Sequence, residues 1–170
     1  MIAEIGHFAL ILALVLSVVQ CVLPLVGAAR GIGSWMALAR TAAYANALFL
    51  TISFGTLAYS FYISDFTLLN VASNSNSLLP WFYKVAATWG SHEGSILFWA
   101  LMLTWWGFLV ALTSRKLPQE TVARVLGVMG FITAGFVAFM LFTSNPFLRL
   151  FPAAPEGADL NPLLQDPGMV

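Results

Sequence analysis

The stretch Trp89-Gly90-Ser91-His92-Glu93-Gly94-Ser95 places an imidazole and a carboxylate at the mouth of an apolar, Trp-rich segment that runs to Thr113. Both groups lose hydration at the edge of hydrocarbon, so they persist there only where an interface, a helix end or a partner satisfies them. A neutral imidazole can ligate a metal, and an indole beside it can receive a flat apolar ligand. With Trp81 from the aromatic run just before it, this makes Trp81, Trp89, Gly90, His92, Glu93 and Gly94 the candidate ligand surface. A plainer reading of the same residues is structural. Ser91 can cap a helix that starts there, and Glu93 then falls in the first turn, where the helix dipole favours negative charge. Gly90 and Gly94 are one helical turn apart and would let another backbone approach closely. No set of residues with catalytic spacing and no metal-ligand cluster can be named. Cys21 is the only cysteine and lies within an apolar run, so an intrachain disulfide and a Cys-based metal motif are both excluded.

The elements that must position these groups are membrane helices. The chain is 60% hydrophobic and 8% charged, far from the roughly one-quarter charged residues of soluble domains. Net charge is zero, with no dense Lys/Arg cluster, which argues against nucleic acid as a partner. The expected fold is an all-α integral membrane protein: a bundle over 1–143 with spans at about 5–27, 41–63, 92–113 and 125–143, each near the ~20 residues that cross a ~30 Å hydrocarbon core. The first run lacks the basic start of a secretory signal and carries Glu4 instead, so it is expected to be retained. Ala9, Ala13, Ser17, Gln20 and Pro24 make a small, partly polar stripe on the first span, and Asn46, Ser53 and Ser60 recur every seven residues on the second. Such stripes face other helices. On the fourth span, Ala123, Gly127, Gly130, Ala134 and Ala138 form a seam for close helix packing, expected to join a further part of a larger bundle.

The stretch 64–90 is expected outside the hydrocarbon, opening at Asp65 and passing through the turn formers of Ala72-Ser73-Asn74-Ser75-Asn76-Ser77. Pro80 can start a short helix lying in the membrane interface, with Phe82, Val85, Ala86 and Trp89 on one face. Asn145-Pro146 stops the fourth span, and 144–170 reads as a Pro-rich, loop-like tail. Arg30, Arg40, Arg115, Lys116 and Arg124 fall in the two short loops, five of the seven basic residues. The positive-inside rule then puts both termini, the 64–90 stretch and the tail on the outer side of the membrane.

Three patches, taken together, resemble one family. They are Val71-Ala72-Ser73-Asn74-Ser75-Asn76, then Ala87-Thr88-Trp89-Gly90-Ser91-His92-Glu93-Gly94-Ser95, and then Phe142-Thr143-Ser144-Asn145-Pro146-Phe147 with Leu160-Asn161-Pro162-Leu163-Leu164-Gln165-Asp166-Pro167-Gly168. This is similar to the N-terminal part of the CcmF family of cytochrome c maturation proteins, whose NrfE-type haem lyase branch shares the same patches. The resemblance covers essentially the whole chain. It implies a module of the bacterial inner membrane, or of the mitochondrial inner membrane, that takes haem from the haem chaperone CcmE and helps attach it to apocytochrome c. CcmH and the downstream remainder of CcmF are the implied membrane partners. Haem b is implied for the complete protein, with its ligands downstream of Val170, so none is carried over to His7 or His92. Composition and spacing alone fit a membrane assembly scaffold without chemistry of its own equally well. A transporter fits poorly, because no ionisable residue lies at mid-span.

Overall fold

The computed structural model describes residues 1–160. Among these described residues six α-helices follow in order: α1 Ile2–Arg30, α2 Gly33–Tyr62, α3 Leu69–Asn74, α4 Trp81–Gly90, α5 His92–Thr113 and α6 Gln119–Phe142. Four of them, α1, α2, α5 and α6, are long and apolar enough to cross a membrane. The protein is a multi-pass, all-α membrane protein.

The four long helices run up and down in sequence, α1 against α2 and α6, α2 against α5, and α5 against α6, which closes a four-helix ring. Residue size explains the packing. Toward the short-loop end the core is mostly alanine, with Ala28, Ala39, Ala43, Ala111 and Ala123 around Val122 and Leu126, so the backbones approach closely. Toward the other end Leu10, Leu50, Leu57, Phe61, Leu97, Val137 and Met140 fill a wider space. That end is closed by α3, α4 and the tail, and is called the cap end below.

Both small stripes face inward. Ala9, Ala13, Ser17, Gln20 and Pro24 are buried on α1, and Asn46, Ser53 and Ser60 on α2. Ser17 Oγ donates to Ala13 O at 2.6 Å and lies 3.3 Å from Asn46 Oδ1. Asn46 Nδ2 donates to Gln20 Oε1 at 2.8 Å, and Gln20 Nε2 donates across to Leu126 O on α6 at 2.9 Å. Three helices are thus tied by side-chain amides in a region where water cannot compete. Each such bond contributes about 0.6–1 kcal/mol.

Helix limits differ from the apolar runs, because a helix does not stop where hydrocarbon does. Only Gly31 and Ile32 separate α1 from α2. Gly31 takes φ 69°, a left-handed cap that glycine adopts without strain, and donates its N–H to Gly27 O. Arg40, expected in a loop, therefore lies inside α2, where its guanidinium donates to Ser114 O at 2.9 Å. At α6, Pro118 precedes the first turn and starts the helix several residues before the apolar run.

The cap departs further from expectation. The Ser/Asn-rich run is not all turn, since Val71 to Asn74 belong to α3, whose Asn70, Val71 and Ala72 are buried. Asn74 Nδ2 holds the Asn70 carbonyl at 2.9 Å. The tail packs on this segment as a second layer. Leu69 N donates to Leu148 O, Leu150 N to Thr67 O and Ala158 N to Ala72 O, at 2.9, 2.8 and 2.6 Å. Phe147 and Leu160 bury their side chains in the same core as Leu68 and Val71. The patch Leu160 to Gly168 lies, beyond its first residue, outside the described residues.

Candidate functional site

The candidate surface sits at the corner where α4 meets α5. Ser91 has extended backbone and caps α5, accepting the Gly94 N–H on its Oγ at 3.0 Å. Glu93 occupies the first turn and is half-buried. Gly94 is required by contact. A Cβ there would fall 1.7 Å from Thr88 O, so only glycine lets the end of α4 rest on the start of α5. Gly90 is the last residue of α4 and is half-buried.

α4 packs against α2 and α5 through Ala86, Ala87 and Thr88, and Tyr83 packs on the core, which leaves Trp81, Phe82 and Trp89 at the surface. Trp81 is 66% exposed, and Phe82 and Trp89 are also exposed. The two indoles are eight residues apart, about 12 Å along the helix, so they flank one surface without touching. Trp89 is held from behind by Phe98, with centroids 6.2 Å apart, and Phe98 by Phe54 at 5.6 Å. Lys84 secures α4 to the cap, donating to Ser64 Oγ at 2.8 Å and Ser77 O at 3.1 Å.

His92 is exposed, with its ring edge-on to Phe139 and its Nδ1 3.1 Å from Ser144 Oγ. His7, the other histidine, is held by the next residue of the same turn, its Nδ1 3.3 Å from Asn145 Nδ2. Sequence reasoning missed this shared turn. Its Thr143-Ser144-Asn145-Pro146 chemistry reads as a helix stop, and nothing in the spacing says that both histidines converge on it. Among the described residues no group of three or more His, Cys, Asp or Glu side chains could hold a metal ion.

The seam on α6 divides. Gly127 and Gly130 are buried against α1, with a Gly127 Cβ 2.7 Å from Leu25 and a Gly130 Cβ 3.0 Å from Cys21 N and Gln20. Ala134 and Ala138 are only half-buried, because the buried stripe continues through Thr133, Val137 and Met140 instead. The expectation that this seam awaits another part of a bundle does not hold for Gly127 and Gly130, which α1 already covers.

Glu156 in the tail is a further charged feature, next to Ser77 of the cap. It accepts from Ser77 Oγ at 2.7 Å, Ser77 N at 2.9 Å and Gly157 N at 3.0 Å. These bonds, the Ser77 hydroxyl first, hold its carboxyl below the usual glutamate range.

Residues 89–170 match the family model of the cytochrome C assembly proteins, beginning at Trp89 on the corner itself. Along its whole length the chain is 57% identical to the cytochrome c-type biogenesis protein CcmF of Pseudomonas aeruginosa and 50% identical to that of Escherichia coli K12. The chain belongs to the CcmF family. It spans 26% of the length of each of these two relatives. The NrfE protein of Haemophilus influenzae, also named for cytochrome c-type biogenesis, is 46% identical over 100% of the chain and 27% of its own length. A solved structure titled Cytochrome c Heme Lyase CcmF superposes with a TM-score of 0.82 at 28% identity, over 86% of this chain and 25% of that one.

Proposed function

We propose that this chain is a membrane part of the cytochrome c assembly apparatus, and that its α4–α5 corner shapes an outer-face surface over which haem is handled. The observation that carries the reading is the row of outward-facing aromatics Trp81, Phe82 and Trp89 on α4, beside the exposed His92, within a chain of the CcmF family. Haem is cargo in this reading. Apolar faces of this kind suit a porphyrin, and the Gly94 contact fixes the angle at which α4 presents them. Trp81, Trp89, Gly90, His92, Glu93 and Gly94 form or support the surface without ligating iron. The axial ligands, to the haem b of the complete protein, belong to the larger part of the family's length that this chain does not span.

The membrane is the bacterial inner membrane or its mitochondrial counterpart, with both termini outside, as the bias of basic residues toward the short loops supports. The partners are the remainder of a CcmF chain, CcmH, haem-loaded CcmE and apocytochrome c. The higher identity to relatives named CcmF favours that branch over NrfE. A chimera of Pseudomonas aeruginosa CcmF in which this chain replaces the matching quarter tests the reading. It is expected to restore cytochrome c formation in a strain lacking its own CcmF, and Trp89→Ala with Trp81→Ala to reduce the yield at unchanged protein level. Full yield from that double variant would remove the corner from haem handling.

A further inference from the structure

We propose that a cleft beside the start of α1 binds one ethanolamine-type phospholipid by its headgroup. The cleft encloses about 360 Å³, with Glu4, His7, Asn145 and Arg149 on its polar side and Phe8 and Ile11 among its apolar walls. That is a volume typical of small-ligand sites. None of its lining residues comes from α4 or α5, so it is distinct from the corner described above.

The first argument is a free donor. Asn145 Oδ1 accepts the Phe147 N–H at 2.9 Å, which fixes the amide so that its NH2 is the group facing His7 Nδ1 at 3.3 Å. Nδ1 must accept, and the neutral ring therefore carries its proton on Nε2. Among the described residues that N–H has no partner, and it can donate to a phosphate oxygen.

The second argument is charge. Arg149 donates to Glu4 and to Thr67 Oγ1 and lies 3.8 Å from Asp65, which leaves further guanidinium N–H groups for a phosphate. With two carboxylates against the Arg149 guanidinium and the Met1 ammonium, the cleft is close to neutral, so a zwitterionic headgroup suits it better than a purely anionic one. A headgroup that carries its own ammonium can take the place of the Met1 amino group on Glu4. The amino group of Met1 lies 2.6 Å from Glu4 Oε2, so this carboxylate already has the geometry to hold a primary ammonium.

The third argument is the track that leads away from the cleft. Phe8, Ile11, Val15, Val18 and Val22 are all exposed on α1 and follow helical spacing. They make one apolar stripe about 21 Å long, more than half the depth of a ~30 Å hydrocarbon core, along which an acyl chain can lie. Polar head at the bilayer boundary and apolar track below it are the two halves of a phospholipid.

The test uses the full chain, purified and delipidated in detergent, with bound lipid counted by native mass spectrometry. Phosphatidylethanolamine is expected to bind about tenfold more tightly than phosphatidylglycerol, the effect of one charge-assisted contact. O-phosphoethanolamine, the headgroup without chains, should bind far more weakly. Glu4→Gln should erase the preference, and His7→Phe, which keeps an aromatic ring against Phe147, should weaken phosphatidylethanolamine about tenfold. Arg149 is left intact because it also ties Thr67 in the cap. Equal binding of the two lipids would overturn the proposal, as would a preference unchanged in Glu4→Gln, or O-phosphoethanolamine binding as tightly as the lipid.

Discussion

Gly94 is the residue on which the corner depends, and its role follows from one distance. A Cβ placed 1.7 Å from Thr88 O cannot be absorbed by a side-chain shift, because the obstacle is backbone. Gly94→Ala is therefore expected to cost more than the ~1–3 kcal/mol of an ordinary overpacked position, or to separate α4 from α5. Thermal unfolding in detergent checks the first outcome and Trp89 fluorescence the second. Glu156 gives a pH dependence. Its folded pKa lies below its ordinary value, so its support of the cap is complete above the unfolded glutamate range and is lost as pH falls through the folded value. Hydrogen-exchange protection at Ser77 and Gly157, relative to the intrinsic rate at each pH, should fall on acidification below that range, and Ser77→Ala should move the onset upward. At this scale the sequence was partly readable. Ser91 as cap and Glu93 in the first turn follow from residue type and local spacing alone. The pinning of both histidines by Ser144 and Asn145 does not, because it joins residues 52 and 138 positions apart.

Helices announce themselves through hydropathy and small-residue spacing, and both signals held for the long elements. The stripe from Ala9 to Pro24 and the Asn46, Ser53, Ser60 row do face protein. Asn46→Leu should destabilise the bundle by about 1–2 kcal/mol, because it strands Gln20 Oε1 without a donor in an apolar interior. Reversible unfolding in mixed micelles measures this, and Leu48→Ala on the exposed face of the same helix serves as the control. Helix limits were less legible, since Gly31 and Pro118 set them and hydrocarbon thickness does not. α3 was hidden because Ser and Asn favour turns locally, while burial of Val71 against Leu68 and Phe147 is a tertiary effect that outweighs that preference. Ala134 and Ala138 share a helical spacing with Gly127 and Gly130 but not their burial. Which small residues on α6 meet a neighbour depends on where α1 crosses it.

The described residues form a four-helix ring with one end sealed by two polypeptide layers, and that asymmetry matches the distribution of its basic residues. Cysteines introduced at Leu78 and Ala158, both exposed in the cap, are expected to react with an impermeant maleimide from the outer side of intact cells. Labelling only after lysis would reverse the topology. The central claim is that the α4–α5 corner shapes the path of haem without holding its iron, and His92 is where the claim is most exposed. Nδ1 contacts Ser144, but Nε2 of a neutral imidazole is a competent ligand, so the alternative is chemically sound. The direct measurement is the reduced-minus-oxidised spectrum of the purified Pseudomonas aeruginosa chimera carrying His92→Ala. The account expects a b-type haem signal of undiminished amplitude per protein. Loss of that signal at unchanged protein level would make His92 an iron ligand and contradict it.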